Sequence, residues 1–477
     1  MTMSASSGSG SAQAIPVDGV RSARLAGPRF AATACLMALL FLLPVSNNGL
    51  RISVFALAVL ATAVWAIGNR PHPLLRPRNL APATFFLLLG LWFGLWGLLR
   101  GNPGAVFASA VFAFWPIVYQ WILVGLTVDE VRRILRILVW TTAISGVIVV
   151  SFVLTYRGHL PDFAIFTLYP DVAYVEHDGY VQMRFYAIST MVFAVPFLIA
   201  TFVVPPAAGP QVCSARVRTI ALIGGLAVAA FAGRRALWIV IALSPFVALV
   251  LATLASTGAD TRRALLRRFG AQALASIMVA LPVLAYLLGD TLAGAMSFLY
   301  SAFTPESDVD GNVRLKQSTV LLRGWLDSPA FGHGLGAVAD QAVRDEERTW
   351  EYELQYHLLL FTTGIVGFTA YLAGVGWIVV QGLHAAIAAP RQAAVVVPCL
   401  SGLVCFVIAN ATNPYLQAYG HLWTLFLPYA LIVAIRDHPD SQRAKTDRRD
   451  DHYRQGRAVL PSIEGQPSRP GTGLRRE

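Results

Sequence analysis

The residues best suited to chemistry in this chain are a few arginines, one carboxylate and a run of glycines. Arg184, Arg234, Arg235, Arg314 and Arg323 stand apart from the turns where most of the other arginines gather. A guanidinium offers a planar fork of donors that suits phosphate oxygens. The plain alternative for each is a side chain snorkelling to lipid headgroups. Three separate sites on one side favour a shared anion, and a membrane-embedded pyrophosphate fits. Glu353 and His357 lie four residues apart in the stretch from Trp350 to His357. That spacing predicts one shared helical face. Either group at a half-buried edge suits proton abstraction. Their plain readings are complementation of a helix dipole for Glu353 and interface packing for His357. After Pro329, Gly332, Gly334 and Gly336 alternate. They read either as exposed amides facing an anion or as an ordinary glycine turn.

Other chemistry is excluded by what the motifs lack. The glycine run is not a GxxxxGK[ST] phosphate loop. Asp308-x-Asp310-Gly311-Asn312 lacks the third early ligand and the twelfth-position Glu of a calcium loop. Cys35, Cys213, Cys399 and Cys405 form no CxxC pair and no Cys/His cluster, so neither disulfides nor a metal site are expected. No cofactor is expected either.

The elements that hold these residues follow from composition. Of 477 residues, 56% are hydrophobic and 13% charged, against about 25% charged for a soluble protein. Mean hydropathy is +0.58. The expectation is an all-α polytopic membrane protein. The formal charge of +11 needs no nucleic acid, because basic residues also set membrane orientation. Twelve apolar runs approach the ~20 residues needed to span: 30–47, 52–68, 80–99, 104–126, 134–155, 185–204, 218–233, 236–255, 270–288, 356–381, 394–411 and 418–435. The seventh and eighth are one run broken at Gly233-Arg234-Arg235. Two guanidiniums at the bilayer centre are too costly, so a tight hairpin with the arginines at an interface is expected. Arg21, Arg24 and Arg29, then Arg70, Arg76 and Arg78, then Arg132 and Arg133, Arg216 and Arg218, and Arg262, Arg263, Arg267 and Arg268 fall on alternate turns. The positive-inside pattern places both termini in the cytoplasm.

The domains expected are a cytoplasmic segment 1–29 without a signal-peptide core, a transmembrane domain 30–436 and a disordered tail 437–477. Outward loops at 156–184 and 289–355 exceed hairpin length, as functional loops often do. The second holds eleven Asp or Glu and five Lys or Arg. Within it, a turn at Asp310-Gly311 leads into a helix with Arg314 in its first turn and Leu315, Leu322 and Trp325 on its apolar face. Asn410, Asn413 and Tyr415 near the last outward turn could touch a ligand or simply build a proline turn.

Taken in order, Gly233-Arg234-Arg235-Ala236-Leu237, Asn312-Val313-Arg314, Pro329-x-Phe331-Gly332-x-Gly334-x-Gly336, and Glu353-x-x-Tyr356 before Gly364-Ile365-Val366-Gly367 resemble the O-antigen ligase and O-antigen polymerase superfamily of bacterial envelope proteins. The resemblance covers roughly residues 180–370. It implies a GT-C-like, metal-independent, inverting glycosyltransferase of the inner membrane. Its donor would be a glycan on undecaprenyl pyrophosphate at the outer leaflet, and a chain-length regulator would be a natural partner. By this resemblance Arg235 and Arg314 contact the pyrophosphate, Arg184 joins them, and Arg234, Arg323, Gly334, Gly336 and His357 border the substrate. Glu353 or His357 would serve as base. Family ligases carry His where this chain has Glu353, which favours a polymerase over transfer to lipid A–core or protein. A transporter or flippase is the alternative of another class. Against it, Gly68-Asn69-Arg70-Pro71-His72-Pro73 lacks the major facilitator loop motif and ionisable residues are few at mid-span.

Overall fold

The computed structural model describes residues 17–44, 47–68, 72–156, 158–161, 173–177, 180–184, 187–204, 209–232, 234–256, 263, 309–339 and 347–437, with backbone alone at 17–26, 173–184, 235 and 309–312. Among the described residues the chain is helical apart from turns and one hairpin. In order come α1 (Val17–Leu42), α2 (Asn48–Gly68), α3 (Pro77–Leu99) and α4 (Ala105–Leu123). Then follow α5 (Val128–Tyr156), the antiparallel pair β1 (Ala173–His177) and β2 (Tyr180–Arg184), α6 (Ile188–Val203), α7 (Ala215–Ala232) and α8 (Arg235–Ala255). The chain continues with α9 (Val309–Asp327), α10 (Gln355–Ala388), α11 (Ala393–Ala409) and α12 (Trp423–Asp437).

Among the described residues eight helices are long and apolar enough to cross a membrane: α2, α3, α4, α5, α7, α8, α10 and α11. α6 and residues 27–42 of α1 are shorter apolar helices. Eleven of the twelve apolar runs coincide with helices; the run 270–288 lies outside the described residues. The break between α7 and α8 falls at the expected Gly233–Arg235.

Burial runs inside out for a soluble protein. α6 is buried all round, from Met191 to Leu198, and packs against α8 and α11. α11 and α12 are nearly as enclosed. A helix surrounded by other helices must be apolar on every face. The outer helices leave Leu60, Ile67, Leu88, Trp92, Leu95, Ile223 and Phe246 more than half exposed. Such a surface suits lipid, not water. Helix contacts use small residues where hydrocarbon supplies no drive to associate. A side chain at Gly146 of α5 would collide with the backbone of Gly224 on α7.

The two ends of the bundle differ. At one end Arg29 donates to Glu130 at 3.0 Å and to the Gly125 carbonyl at 2.8 Å. It also lies over the Trp65 ring. His72 stacks on Trp121, Arg132 donates to Gln392 at 2.6 Å and Arg136 to the Val212 carbonyl. The turns holding Arg29, His72, Arg132 and Val212 thus meet at one end, whereas the turn at Arg262–Arg268 lies outside the described residues except for Arg263. At the other, Arg51 binds the Pro44 carbonyl and the Asn48 side chain, and its guanidinium lies over Tyr419.

Two local expectations need correction. α9 begins at Val309, so Arg314 falls in its second turn. Its buried face is not Leu315, Leu322 and Trp325: Leu315 is 62% exposed, whereas Gln317 and Leu321 are fully buried. α9 lies over a small satellite core of Leu321, Ala337, Ala339, Tyr352, Leu358 and Phe361, which draws the Gln317–Leu321 face inward. Secondly, Glu353 and His357 do not share a helical face. Leu354 has φ −92 and ψ 86, and α10 starts at Gln355, so Glu353 precedes the helix.

Candidate functional site

The second end gathers the candidate residues. α9 presents Arg314 and Gln317 one turn apart, a spacing that puts both on one face. They grip the same residue. Arg314 Nε donates to Glu353 Oε2 at 2.6 Å, and the Glu353 amide donates to Gln317 Oε1 at 3.0 Å. Both partners of the ion pair are 23% exposed at the side chain. Because Nε holds the carboxylate, the Arg314 terminal amino groups keep their fork free of protein hydrogen bonds among the described residues. Gln317 Nε2 is buried without a partner.

The segment carrying Glu353 is tied down on both sides. Tyr352 is fully buried; its hydroxyl accepts from the Ala339 amide at 2.7 Å and donates to the Ala339 carbonyl at 3.3 Å. Gln417 donates to the Tyr352 carbonyl at 3.0 Å. The Tyr356 hydroxyl donates to the Val407 carbonyl. Arg234 caps α8 in an extended conformation and is half-buried. Its guanidinium makes no hydrogen bond or ion pair among the described residues. Burial pushes the Tyr415 phenol up to about 12, while the positive charges of Arg234 and Arg314 pull it down. Both guanidiniums therefore bear on Tyr415. Among the described residues, Arg234 and Arg314 against Glu353 leave an excess of positive charge, which favours an anion.

The amides of the glycine run from Gly332 to Leu335 are taken by the protein itself. Gly332, Gly334 and Gly336 have φ of 63°, 86° and 73°, a region where glycine has no steric cost. The turn docks on α10 and α3. His333 N donates to Phe361 O at 2.9 Å, Gly334 N to Thr362 O at 2.8 Å and Leu335 N to Phe93 O at 3.0 Å. Asn102 caps the carbonyls of His333, Gly334 and Leu335. Gly336 O accepts from Gly104 N at 3.2 Å. The reason lies in α10, which breaks at Gly364 (φ 62°, ψ −171°). The break frees carbonyls before it and amides after it, and the turn supplies partners for both. Ile365 N donates to Pro329 O at 2.9 Å and Val366 N to Ala330 O at 3.1 Å. In lipid such groups must find partners inside the protein.

The remaining candidates are placed as follows. Arg323 is exposed, half a helical circumference away from Arg314. His333, not a sequence candidate, bonds the Gly324 carbonyl at 2.7 Å and joins α9 to the glycine turn. His357 is half-buried, with Nδ1 unpartnered. Arg184 ends β2 and Arg235 opens α8, but both side chains lie outside the described residues, as does that of Asn312. Asn410 builds the turn, donating to Phe406 O and accepting from Leu416 N. Asn413 bonds Thr412. Gln317 was missed by sequence reasoning, although its spacing of three from Arg314 was the available signal. No group of three potential metal-binding residues occurs among the described residues. No protein-family model matches the chain, and no curated protein matches it in sequence.

Proposed function

We propose that this chain is a multi-pass membrane glycosyltransferase that joins lipid-linked oligosaccharide repeat units into a surface polysaccharide. One observation carries the reading: Arg314 holds the Glu353 carboxylate through Nε, which leaves its terminal amino groups without protein hydrogen bonds among the described residues. That pairs a positioned base with an anion site. The resemblance of the motifs to O-antigen polymerases and ligases supports the same reading. So does the placement of the site at the end of the bundle opposite the arginine-rich turns.

In this reading the protein has about twelve spans in a GT-C-like arrangement, resides in the bacterial inner membrane and keeps its termini cytoplasmic. The loop holding α9 and Glu353 is periplasmic. The donor is a glycan on undecaprenyl pyrophosphate. An acceptor hydroxyl attacks the anomeric carbon, Glu353 takes its proton, and the C–O bond to pyrophosphate breaks with inversion. Arg314 and Arg234 stabilise the charge growing on the departing pyrophosphate, where a preorganised cation counts most. Gln317 fixes the backbone of Glu353 and so aims the carboxylate. Arg235 and Arg184 are further ligands for the phosphates.

The test uses purified protein with one lipid-linked repeat unit and no other acceptor. A ladder of longer lipid-linked glycans, lost in Glu353→Gln, supports a polymerase. Transfer only after lipid A–core or a protein acceptor is added makes the chain a ligase. Silence under both conditions, with folded protein, refutes the glycosyltransferase and restores the transporter.

A further inference from the structure

Between α9 and the glycine turn, Leu326 to Phe331 form an elbow whose apolar side chains face outward. Leu326 is 66% and Phe331 48% exposed, and Pro329 and Ala330 between them are exposed as well. A turn in water can leave its carbonyls to solvent. This one does not. Ser328 O accepts from Gly332 N at 2.9 Å, and Ala330 O accepts from Val366 N at 3.1 Å. Pro329 O accepts twice, from Ile365 N at 2.9 Å and from Trp325 Nε1 at 3.0 Å. Gly332 O also accepts twice, from Ser328 Oγ at 3.0 Å and from Trp96 Nε1 at 3.2 Å. Apolar side chains turned out, with carbonyls satisfied inside, is the arrangement that hydrocarbon demands and water does not.

The elbow also sits where a bilayer would begin. Its bonds to Ile365 and Val366 fasten it to the flank of α10, where both of those side chains are exposed. Residues 365–388 of α10 run about 36 Å at 1.5 Å each, slightly more than the ~30 Å of a hydrocarbon core. Ile365 therefore lies close to an edge of the hydrocarbon. Trp96, which reaches Gly332, stands one turn short of the end of α3, and Leu95, Leu98 and Leu99 around it are at least half exposed. The apolar surface of α3 and α10 thus continues onto the elbow. Arg323 lies one turn back along α9 from Leu326, is exposed, and makes no hydrogen bond or ion pair among the described residues. Asp327 is exposed on the same edge. Tryptophans at this level, with a cation just beyond the apolar residues, are what a membrane interface selects. Gln317, on the opposite side of α9 from Leu326, faces Glu353.

We propose that this elbow is a docking surface for phospholipid: Leu326, Pro329, Ala330 and Phe331 enter the hydrocarbon of the leaflet at this end of the bundle, and Arg323 lies at the level of the lipid phosphates. α9 is then an arm anchored in lipid on one face that carries Arg314 and Gln317 on another. The proposal needs only a membrane-spanning bundle and does not rest on glycosyl transfer. The test is electron paramagnetic resonance on the full-length protein in nanodiscs of phosphatidylethanolamine and phosphatidylglycerol. The four native cysteines are replaced by alanine. One spin label at a time is attached through Leu326→Cys or Phe331→Cys. Its collisions with oxygen, which prefers lipid, are compared with those of a water-soluble nickel chelate. Leu95→Cys on α3 sets the lipid value and the exposed Arg348→Cys sets the aqueous one. Labels at Leu326→Cys and Phe331→Cys should match Leu95→Cys within about twofold, because all three would lie in hydrocarbon. Arg323→Cys should fall between the two controls. Nickel collisions at Leu326→Cys or Phe331→Cys as frequent as at Arg348→Cys would put the elbow in water and overturn the proposal. Thermal melting selects the folded variants, and Ala330→Cys replaces either elbow variant that fails to fold. A lipid-buried elbow without a glycan ladder would leave the docking surface standing and sink the polymerase reading; a ladder with the elbow in water would do the reverse.

Discussion

Gly364→Ala is the sharpest perturbation the structure offers, because its cost follows from backbone geometry alone. Gly364 has φ 62° and ψ −171°, a conformation essentially restricted to glycine that costs an alanine about 1–3 kcal/mol. A Cβ there would also fall under 3.0 Å from the carbonyl carbon and oxygen of Ala330 and the amide nitrogen of Phe331. These are backbone atoms and cannot swing aside. Relief requires the Pro329–Phe331 turn to withdraw, and that breaks the bonds from Ile365 N to Pro329 O and from Val366 N to Ala330 O. Each broken bond leaves a buried group unpaired at about 1–3 kcal/mol. Together the terms reach about 3–9 kcal/mol, a large share of the 5–15 kcal/mol that typically holds a fold.

The control lies in the same helix. Gly376 has no atom within 4 Å of a built Cβ and ordinary helical geometry, so Gly376→Ala should be neutral or gain about 0.5–1 kcal/mol. The assay is thermal unfolding of purified protein in one detergent. Gly364→Ala should lower the midpoint by at least about 5 °C or abolish folded material, and Gly376→Ala should not. A Gly364→Ala midpoint within about 1 °C of native would show that the break in α10 is not fixed by the glycine turn.

Glu353→Gln preserves shape and an acceptor for Arg314 but removes the base; it should cut glycan elongation about 10²–10⁴-fold at unchanged membrane level, read as ladder formation. Arg314→Lys keeps a charge but cannot hold Glu353 through Nε and present a fork as well. It should fall well short of native activity, and full activity would refute the two-handed role. Gln317→Leu should lower turnover more than donor binding, since Gln317 holds only the Glu353 amide; equal losses in both would refute that division. His72 is buried, and burial pushes it down to about 4. Its folded pKa lies below the unfolded 6.5, so the unfolded chain takes up protons first. Stability should hold above pH ~6.5 and fall between pH ~6.5 and 4, by up to about 3 kcal/mol. His72→Gln should flatten the loss of melting temperature across that window.

The apolar helices were legible because run length is their signal, and no period has to be recognised. Glu353 and Arg314 were legible as types that could act, yet not as partners, since 39 residues separate them. The inward face of α9 was misread because the helix turns its polar edge, Arg314 and Gln317, toward Glu353 and leaves Leu315 outside. The start of α10 was misread because Glu353 and Leu354 carry no breaker. The glycine turn hid its purpose for a different reason. Its meaning depends on Gly364, whose positive φ lies within an apolar run that reads as unbroken helix.

That pairing explains why the site can be both fixed and open. A half-buried ion pair is a weak fastener, because water screens it and long side chains lose freedom on forming it. The strong constraints lie elsewhere. The fully buried Tyr352 bonds Ala339 on both sides, Gln317 takes the Glu353 amide, and the glycine turn locks the broken helix from below. The backbone of Glu353 is therefore fixed without Arg314, whose Nε orients only the carboxylate. A guanidinium that carries none of the scaffold can spend its fork on a ligand. The positive charge of Arg234, with no carboxylate partner among the described residues, then has the same recipient. Removing Arg314 should accordingly leave the fold intact, which makes loss of function in that variant a statement about the ligand rather than about the scaffold.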